Sequence, residues 1–248
     1  KFKDEKFVNR IILLSDGLAN VGESEPDVLG KLGQSLGKES ISVTTLGLGL
    51  GYNEDLMTQL ASKSSGNHAF VENATDLVKI FNQEFGDVLS VVAQKVEVNI
   101  VCAENIRPIR VLGRDAEIHG QRVTTSLNQL YAAQEKYILL EIEVPATAVD
   151  IRRDIAQVNV SYLDMTSQKT EHLDEMLSLR FSADQHAVDE ATHKEVMIAV
   201  TEQLALERNK EAIRLRDSGK VQEAQTILQE NARYLDKEAA KYDSDQLR

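Results

Sequence analysis

Asp16 is the residue of this chain best placed to do chemistry. It follows Ile11-Ile12-Leu13-Leu14-Ser15 and precedes Gly17. Four apolar residues bounded by turn residues suit a strand buried on both faces of a parallel sheet. Asp16 then lies at the carboxyl end of that strand, the edge where open α/β sheets bind ligands. A carboxylate there can ligate a metal or simply turn the chain. Ser15 and Asn20 flank it and could bond to water on a metal; supporting the turn is their plainer role. Gly47-Leu48-Gly49-Leu50-Gly51 stands between a strand pattern and a helix pattern, the setting of a phosphate-binding loop. Its third glycine falls one residue early for Gly-x-Gly-x-x-Gly, so a flexible strand end is preferred. His186, Glu190 and His193 fall at i, i+4 and i+7, on one face of a predicted helix. Such a face could approach Zn²⁺, but a catalytic zinc needs three placed ligands with outer support, and a solvated polar face is the simpler reading. His68, His119 and His172 are isolated. There is no Gly-x-Ser-x-Gly elbow, no paired carboxylates and no Cys/His cluster, so the residues point away from an enzyme.

Composition narrows the classes further. The chain has 248 residues, enough for two compact domains or one large one. Hydrophobic content of 42% and charged content of 27% are ordinary for a soluble protein. A net charge of -12 argues against nonspecific nucleic-acid binding, which needs a basic face. Cys102 is the only cysteine, so no intrachain disulfide can form. No apolar run approaches the length of a membrane span, and Lys1-Phe2-Lys3-Asp4-Glu5-Lys6 lacks a signal-peptide core.

Three styles of sequence must position these residues. Over residues 7–90, strand patterns (Phe7–Ser15, Ile41–Leu48, His68–Val71) alternate with helix patterns (Pro26–Lys38, Glu54–Ser62, Thr75–Val92). That alternation predicts βαβ units and a parallel sheet. In the first helix Val28, Leu29, Leu32 and Leu36 form the expected inward stripe. From about residue 95 the period becomes two: Val96, Val98 and Ile100, then Ile138 to Val144, Val158 to Tyr162 and Leu177 to Phe181. This predicts antiparallel strands in a β-sandwich. From Asp184 the chain reads helical, with a break at Asp217-Ser218-Gly219-Lys220 that makes an αα-hairpin. Asp236–Arg248 reads as a solvated, fraying helix end.

The segment Ile11-Ile12-Leu13-Leu14-Ser15-Asp16-Gly17-Leu18-Ala19-Asn20-Val21-Gly22 resembles the fourth core strand of a von Willebrand factor type A domain. Ile41–Gly49 resembles that family's fifth strand, and Asn53–Ala61 with Gly66–Val71 its next helix and sixth strand. The likeness covers about residues 7–90 and has the flavour of bacterial proteins in which a β-sandwich follows the A domain. The resemblance implies a metal-ion-dependent adhesion site built from an Asp-x-Ser-x-Ser loop, a Thr and an Asp. Asp16 matches the last of these, and the other ligands have no match here. Hydroxyls and a carboxylate suit Mg²⁺, with a position left for a partner's carboxylate.

The expected architecture is therefore a partial α/β, doubly wound parallel sheet over residues 1–93, an all-β sandwich over 94–182 and a helical hairpin over 183–248. The expected function is a non-enzymatic protein-binding or adhesion module whose Mg²⁺ site is complete only in the intact protein, with Asp16 as its metal residue. The partner is a protein offering a carboxylate. The alternatives are a scaffold with a vestigial metal site, assembling through its helical tail, and a nucleotide-using α/β enzyme. A cell-surface or envelope setting is favoured over the cytoplasm. The first three strands of the family pattern are expected to precede residue 1. Without its family neighbour, Ile11–Leu14 becomes an apolar strand edge. Its own N-terminal part or another subunit is expected to cover that edge.

Overall fold

A computed structural model describes residues 7–16, 18, 22–49 and 51–248, with only the backbone of Ala74. Asn20 and Gly17 lie outside the described residues.

Alternation of strand and helix is realised in order. β1 (Asn9–Ser15) leads to α1 (Pro26–Lys38), β2 (Ile41–Leu48), α2 (Glu54–Lys63), β3 (His68–Val71) and α3 (Ala74–Leu89). β1, β2 and β3 form a parallel sheet in that order, with Arg10 beside Ser42, Ile12 beside Thr44 and Ser15 beside Gly47. Register places Arg10, Ser42 and Thr44 on one face, and Val43, Thr45 and Gly47 on the other. β2 is the central strand, and Val43 to Leu46 are buried.

β1 departs from expectation. It is one of the two edge strands of the described sheet, and it is not buried on both faces. Ile11 is 45%, Leu13 37% and Leu14 41% exposed. The expected cover over Ile11–Leu14 is not found among the described residues.

α1 starts on Pro26, whose missing N–H costs nothing at a first helical position. Its packing keeps half of the expected stripe, since Leu29 and Leu36 are half-buried, and overturns the other half. Val28 and Leu32 are exposed, and Gly30 and Gly33 are buried. The cause is close helix approach. A Cβ on Gly33 would stand 2.6 Å from the Leu60 carbonyl oxygen of α2. α2 and α3 are capped by Asn53 and Asn73, whose side chains accept from Leu56 N and from Thr75 N and Asp76 N.

The all-β part contains β4 (Val91–Cys102), β5 (Arg107–Leu112), β6 (Glu117–His119), β7 (Arg122–Tyr131), β8 (Leu139–Glu143), β9 (Arg152–Asp164) and β10 (Thr170–Arg180). β10, β9, β4, β7 and β6 make one five-stranded sheet; β5 and β8 make an antiparallel pair. The helices are α4 (Gln185–Glu190), α5 (Lys194–Asp217) and α6 (Val221–Tyr242). The expected tail end is not frayed: Tyr242, Ser244 and Leu247 are buried, and Asp245–Leu247 forms a 3-10 turn. No helix among the described residues is long and apolar enough to cross a membrane.

Two compact units interleave along the chain. The first runs to Asn99 and takes in Thr124–Lys136 and Val158–Glu175. The second joins Ile100–Val123, Tyr137–Gln157 and Met176–Arg248. A boundary between residues 93 and 94 would fall inside β4. In the first unit, the Ala132 amide donates to the Ser90 carbonyl across that boundary, at 2.7 Å.

Candidate functional site

Asp16 is exposed at the carboxyl end of β1, as the strand pattern predicts. The loop after β2 borders it: a Cβ on Gly51 would stand 3.2 Å from the Asp16 carbonyl oxygen. No group of three or more His, Cys, Asp or Glu among the described residues could hold a metal ion. The described residues thus offer one carboxylate and the neighbouring Ser15 hydroxyl. That set does not fit a complete Mg²⁺ site, which calls for a near-octahedral oxygen shell.

The glycine-rich loop has a packing reason. A Cβ on Gly47 would meet the Tyr52 ring at 2.1–2.4 Å, so Tyr52 lies directly against the bare Cα. Gly49 has φ +69°, a left-handed conformation suited to glycine. The Tyr52 ring also stacks on Phe70, with centroids 6.3 Å apart. Its hydroxyl lies 3.3 Å from His68 Nε2, and His68 Nδ1 lies 2.9 Å from Thr45 Oγ1. Burial holds the Tyr52 phenol above the usual tyrosine range, and Glu54 adds to the shift. His68, isolated in sequence, therefore sits in a defined cluster.

Beneath β1 lies a polar network that the sequence did not reveal. Arg10 Nη1 meets Glu84 Oε2 at 2.6 Å, and both side chains are 4% exposed. Glu84 also accepts from Thr44 Oγ1 at 2.5 Å and from Asn67 Nδ2 at 2.7 Å. Arg10 donates to Ser42 Oγ at 3.1 Å and to the Tyr131 hydroxyl. The hydroxyl of Tyr131 lies 3.4 Å from Gln129 Oε1. Burial pushes the Tyr131 phenol up, and the Arg10 cation pulls against that shift. These buried charges meet the requirement of pairing and hydrogen bonding. No motif in the sequence singles out Arg10 or Glu84. The signal available was their position: Arg10 is a charge inside a strand pattern.

The network also shows what the first unit needs. A fragment ending at residue 93 lacks Gln129 and Tyr131 and so strips Arg10 of two partners. We expect such a fragment to lack a cooperative unfolding transition by circular dichroism. A sharp transition matching that of the whole chain would make residues 1–93 a folding unit after all.

His186, Glu190 and His193 do not share a helix. α4 ends at Glu190, and His193 is the residue before α5. Thr192 Oγ1 donates to the Val188 carbonyl at 2.9 Å as the chain leaves α4. His186 Nδ1 lies 3.5 Å from Glu190 Oε2, and both are strongly exposed. The pair is a solvated surface contact. Cys102 is buried, which pushes its thiol up and away from reactivity.

No family model matches the chain. It is 30% identical over 94 residues to the uncharacterized protein YfbK of Escherichia coli, covering 38% of this chain and 16% of that protein. It is 24% identical over 189 residues to the uncharacterized protein sll0103 of Synechocystis, covering 72% of this chain and 44% of that protein. The chain thus spans less than half the length of either relative, and the second likeness runs well beyond residues 7–90. A solved structure, the von Willebrand factor type A protein from Catenulispora acidiphila, superposes with a TM-score of 0.71 at 14% identity. That match covers 95% of this chain and 56% of the solved one. With β1 to α3 in the order the resemblance implies, and this match extending over nearly all the rest, the chain has the fold of a von Willebrand factor type A protein.

Proposed function

We propose that the chain is part of a non-enzymatic protein-interaction module that meets its partner at the corner formed by β1 and Asp16. The observation that carries this reading is the exposure of Ile11, Leu13 and Leu14 in a strand that ends at an exposed carboxylate. Apolar surface beside a polar ligating group is the usual make-up of a binding site. In a longer protein that contains this chain, Asp16 supplies one oxygen to a Mg²⁺ site and the partner supplies a carboxylate. This chain's own residues contribute the carboxylate and the apolar strand, and further segments or another subunit cover the rest of the edge.

Calorimetry tests the assignment of Asp16. The chain by itself is expected to show no saturable Mg²⁺ heat, because one carboxylate does not hold the ion. A longer protein containing it is expected to bind Mg²⁺, and Asp16→Ala to weaken that binding by roughly tenfold or more. Equal binding by both forms removes Asp16 from the site. A longer protein that binds no Mg²⁺ favours the scaffold reading, in which the helical hairpin, with Leu206, Ile213 and Leu228 exposed, carries assembly instead.

A further inference from the structure

We propose that Tyr52 and Phe70 form an aromatic seat at the carboxyl end of the sheet for a cationic side chain of a protein partner, best an arginine guanidinium. Strand register lines the seat up with Asp16. Ser15 of β1, Gly47 of β2 and Phe70 of β3 are successive neighbours across the sheet, and Asp16 follows Ser15. The Tyr52 ring lies on the bare Cα of Gly47 and stacks on Phe70 with the planes 21° apart. Its hydroxyl, 3.3 Å from His68 Nε2, gives the ring a second tether. Phe70 is nonetheless 45% exposed. Rings already held in place lose little freedom when a partner docks on them.

Charge selects the occupant. The stretches 11–30, 39–62 and 64–78 hold no Lys or Arg. They include every connection that leaves the carboxyl ends of β1, β2 and β3. Asp27, Glu54, Asp55 and Asp76 lie in first helical turns, where the helix dipole accounts for them. It does not account for Asp16, Glu23 and Glu72, which lie in the connections themselves. Lys38 and Lys63 stand in the last turns of α1 and α2, at the opposite end of the sheet. The aromatic pair therefore sits in a field of one sign. Burial first, and then the Glu54 charge, hold the Tyr52 phenol up, so this carboxylate acts directly on the pair. A cation is drawn in by such a field and held by the negative face of a ring. Of the two cationic side chains, the planar guanidinium stacks on aromatic faces better than an ammonium. The inference rests on the β1–Asp16 corner being the surface that meets the partner. It adds that the docking segment carries a basic residue beside the carboxylate it offers to Mg²⁺.

Nuclear magnetic resonance of the whole chain, free of divalent ions and titrated with acetyl-triarginine amide, tests the seat. The Tyr52 and Phe70 ring signals are expected to shift saturably, and added salt to weaken the binding. Acetyl-triglutamate amide is expected to leave both rings still. Phe70→Leu keeps an apolar side chain and removes the π face. It is expected to weaken triarginine binding by about 2–5-fold, the worth of one exposed cation–π contact. Rings that stay still, whether or not triarginine binds elsewhere on the chain, overturn the proposal. So do rings that answer triglutamate equally, or equal binding by a folded Phe70→Leu. None of these outcomes involves Mg²⁺. Loss of the metal role of Asp16 leaves the seat measurable, and failure of the seat leaves the Asp16→Ala calorimetry as it was.

Discussion

Replacing Glu84 by Ala destabilises the first unit by about 3–5 kcal/mol, the usual cost of removing one partner from a buried ion pair. Arg10 is left 4% exposed with its charge uncompensated. Thr44 Oγ1 and Asn67 Nδ2 lose their acceptor at the same time. The measurement is denaturant unfolding of the whole chain, followed by circular dichroism. Glu84→Gln retains the acceptor oxygen for Thr44 but removes the charge and sets an NH2 against Asn67 Nδ2, so its cost is the lost charge together with one lost hydrogen bond. The double replacement Arg10→Met/Glu84→Leu is expected to recover most of the loss, because well-packed apolar residues can replace a buried pair at little cost. A Glu84→Ala variant as stable as the parent would show that the pair is not buried in solution.

Gly66→Ala is the second large effect. A Cβ there would stand 2.0 Å from the Val43 carbonyl oxygen and 2.4 Å from its carbon. Those atoms belong to the central strand and cannot step aside as a flexible side chain would. The segment after α2 must instead lift away from β2. That lift breaks the bond from Val43 N to Ser64 Oγ, at 3.0 Å, and the bond from Thr45 N to the Asn67 carbonyl, at 2.8 Å. Overpacking of about 1–3 kcal/mol and two hydrogen bonds at about 1 kcal/mol each sum to roughly 3–5 kcal/mol. Gly86→Ala is the matched control. Its added Cβ meets nothing within 4 Å, and Gly86 lies inside α3. That change is expected to stabilise by about 0.5–1 kcal/mol, the helix preference of Ala over Gly. If both variants shift the unfolding midpoint alike, close backbone approach at Gly66 is not what limits the fold.

Much of the architecture could be read in advance, because period and punctuation are local. Ile41–Leu48 is rich in apolar and β-branched residues, and it became the buried central strand. Pro26, Asn53 and Asn73 mark helix starts by rules that need only a few neighbouring residues. The residues from 107 to 131 were harder. β5, β6 and β7 alternate too weakly, with Arg107, Arg110 and Arg122 among them, for period alone to identify them. Gln129 and Tyr131 were therefore missed as partners of Arg10. Val28 and Leu32 of α1, which are exposed, were assigned inward with Leu29 and Leu36 because hydrophobicity usually decides facing. Gly30 and Gly33 decided it here, since small residues allow a closer helix approach.

The sequence by itself determined the order of elements from β1 to α3, the strand end at Asp16 and the absence of a local catalytic motif, because each follows from neighbours along the chain. Only the tertiary structure decided that Arg10 and Glu84 share a buried network and that His68 reaches both Thr45 and Tyr52. Those outcomes depend on residues 16 to 121 positions apart. Spacing along a chain does not encode which distant side chain will fill a given space; packing and hydrogen-bond valence do.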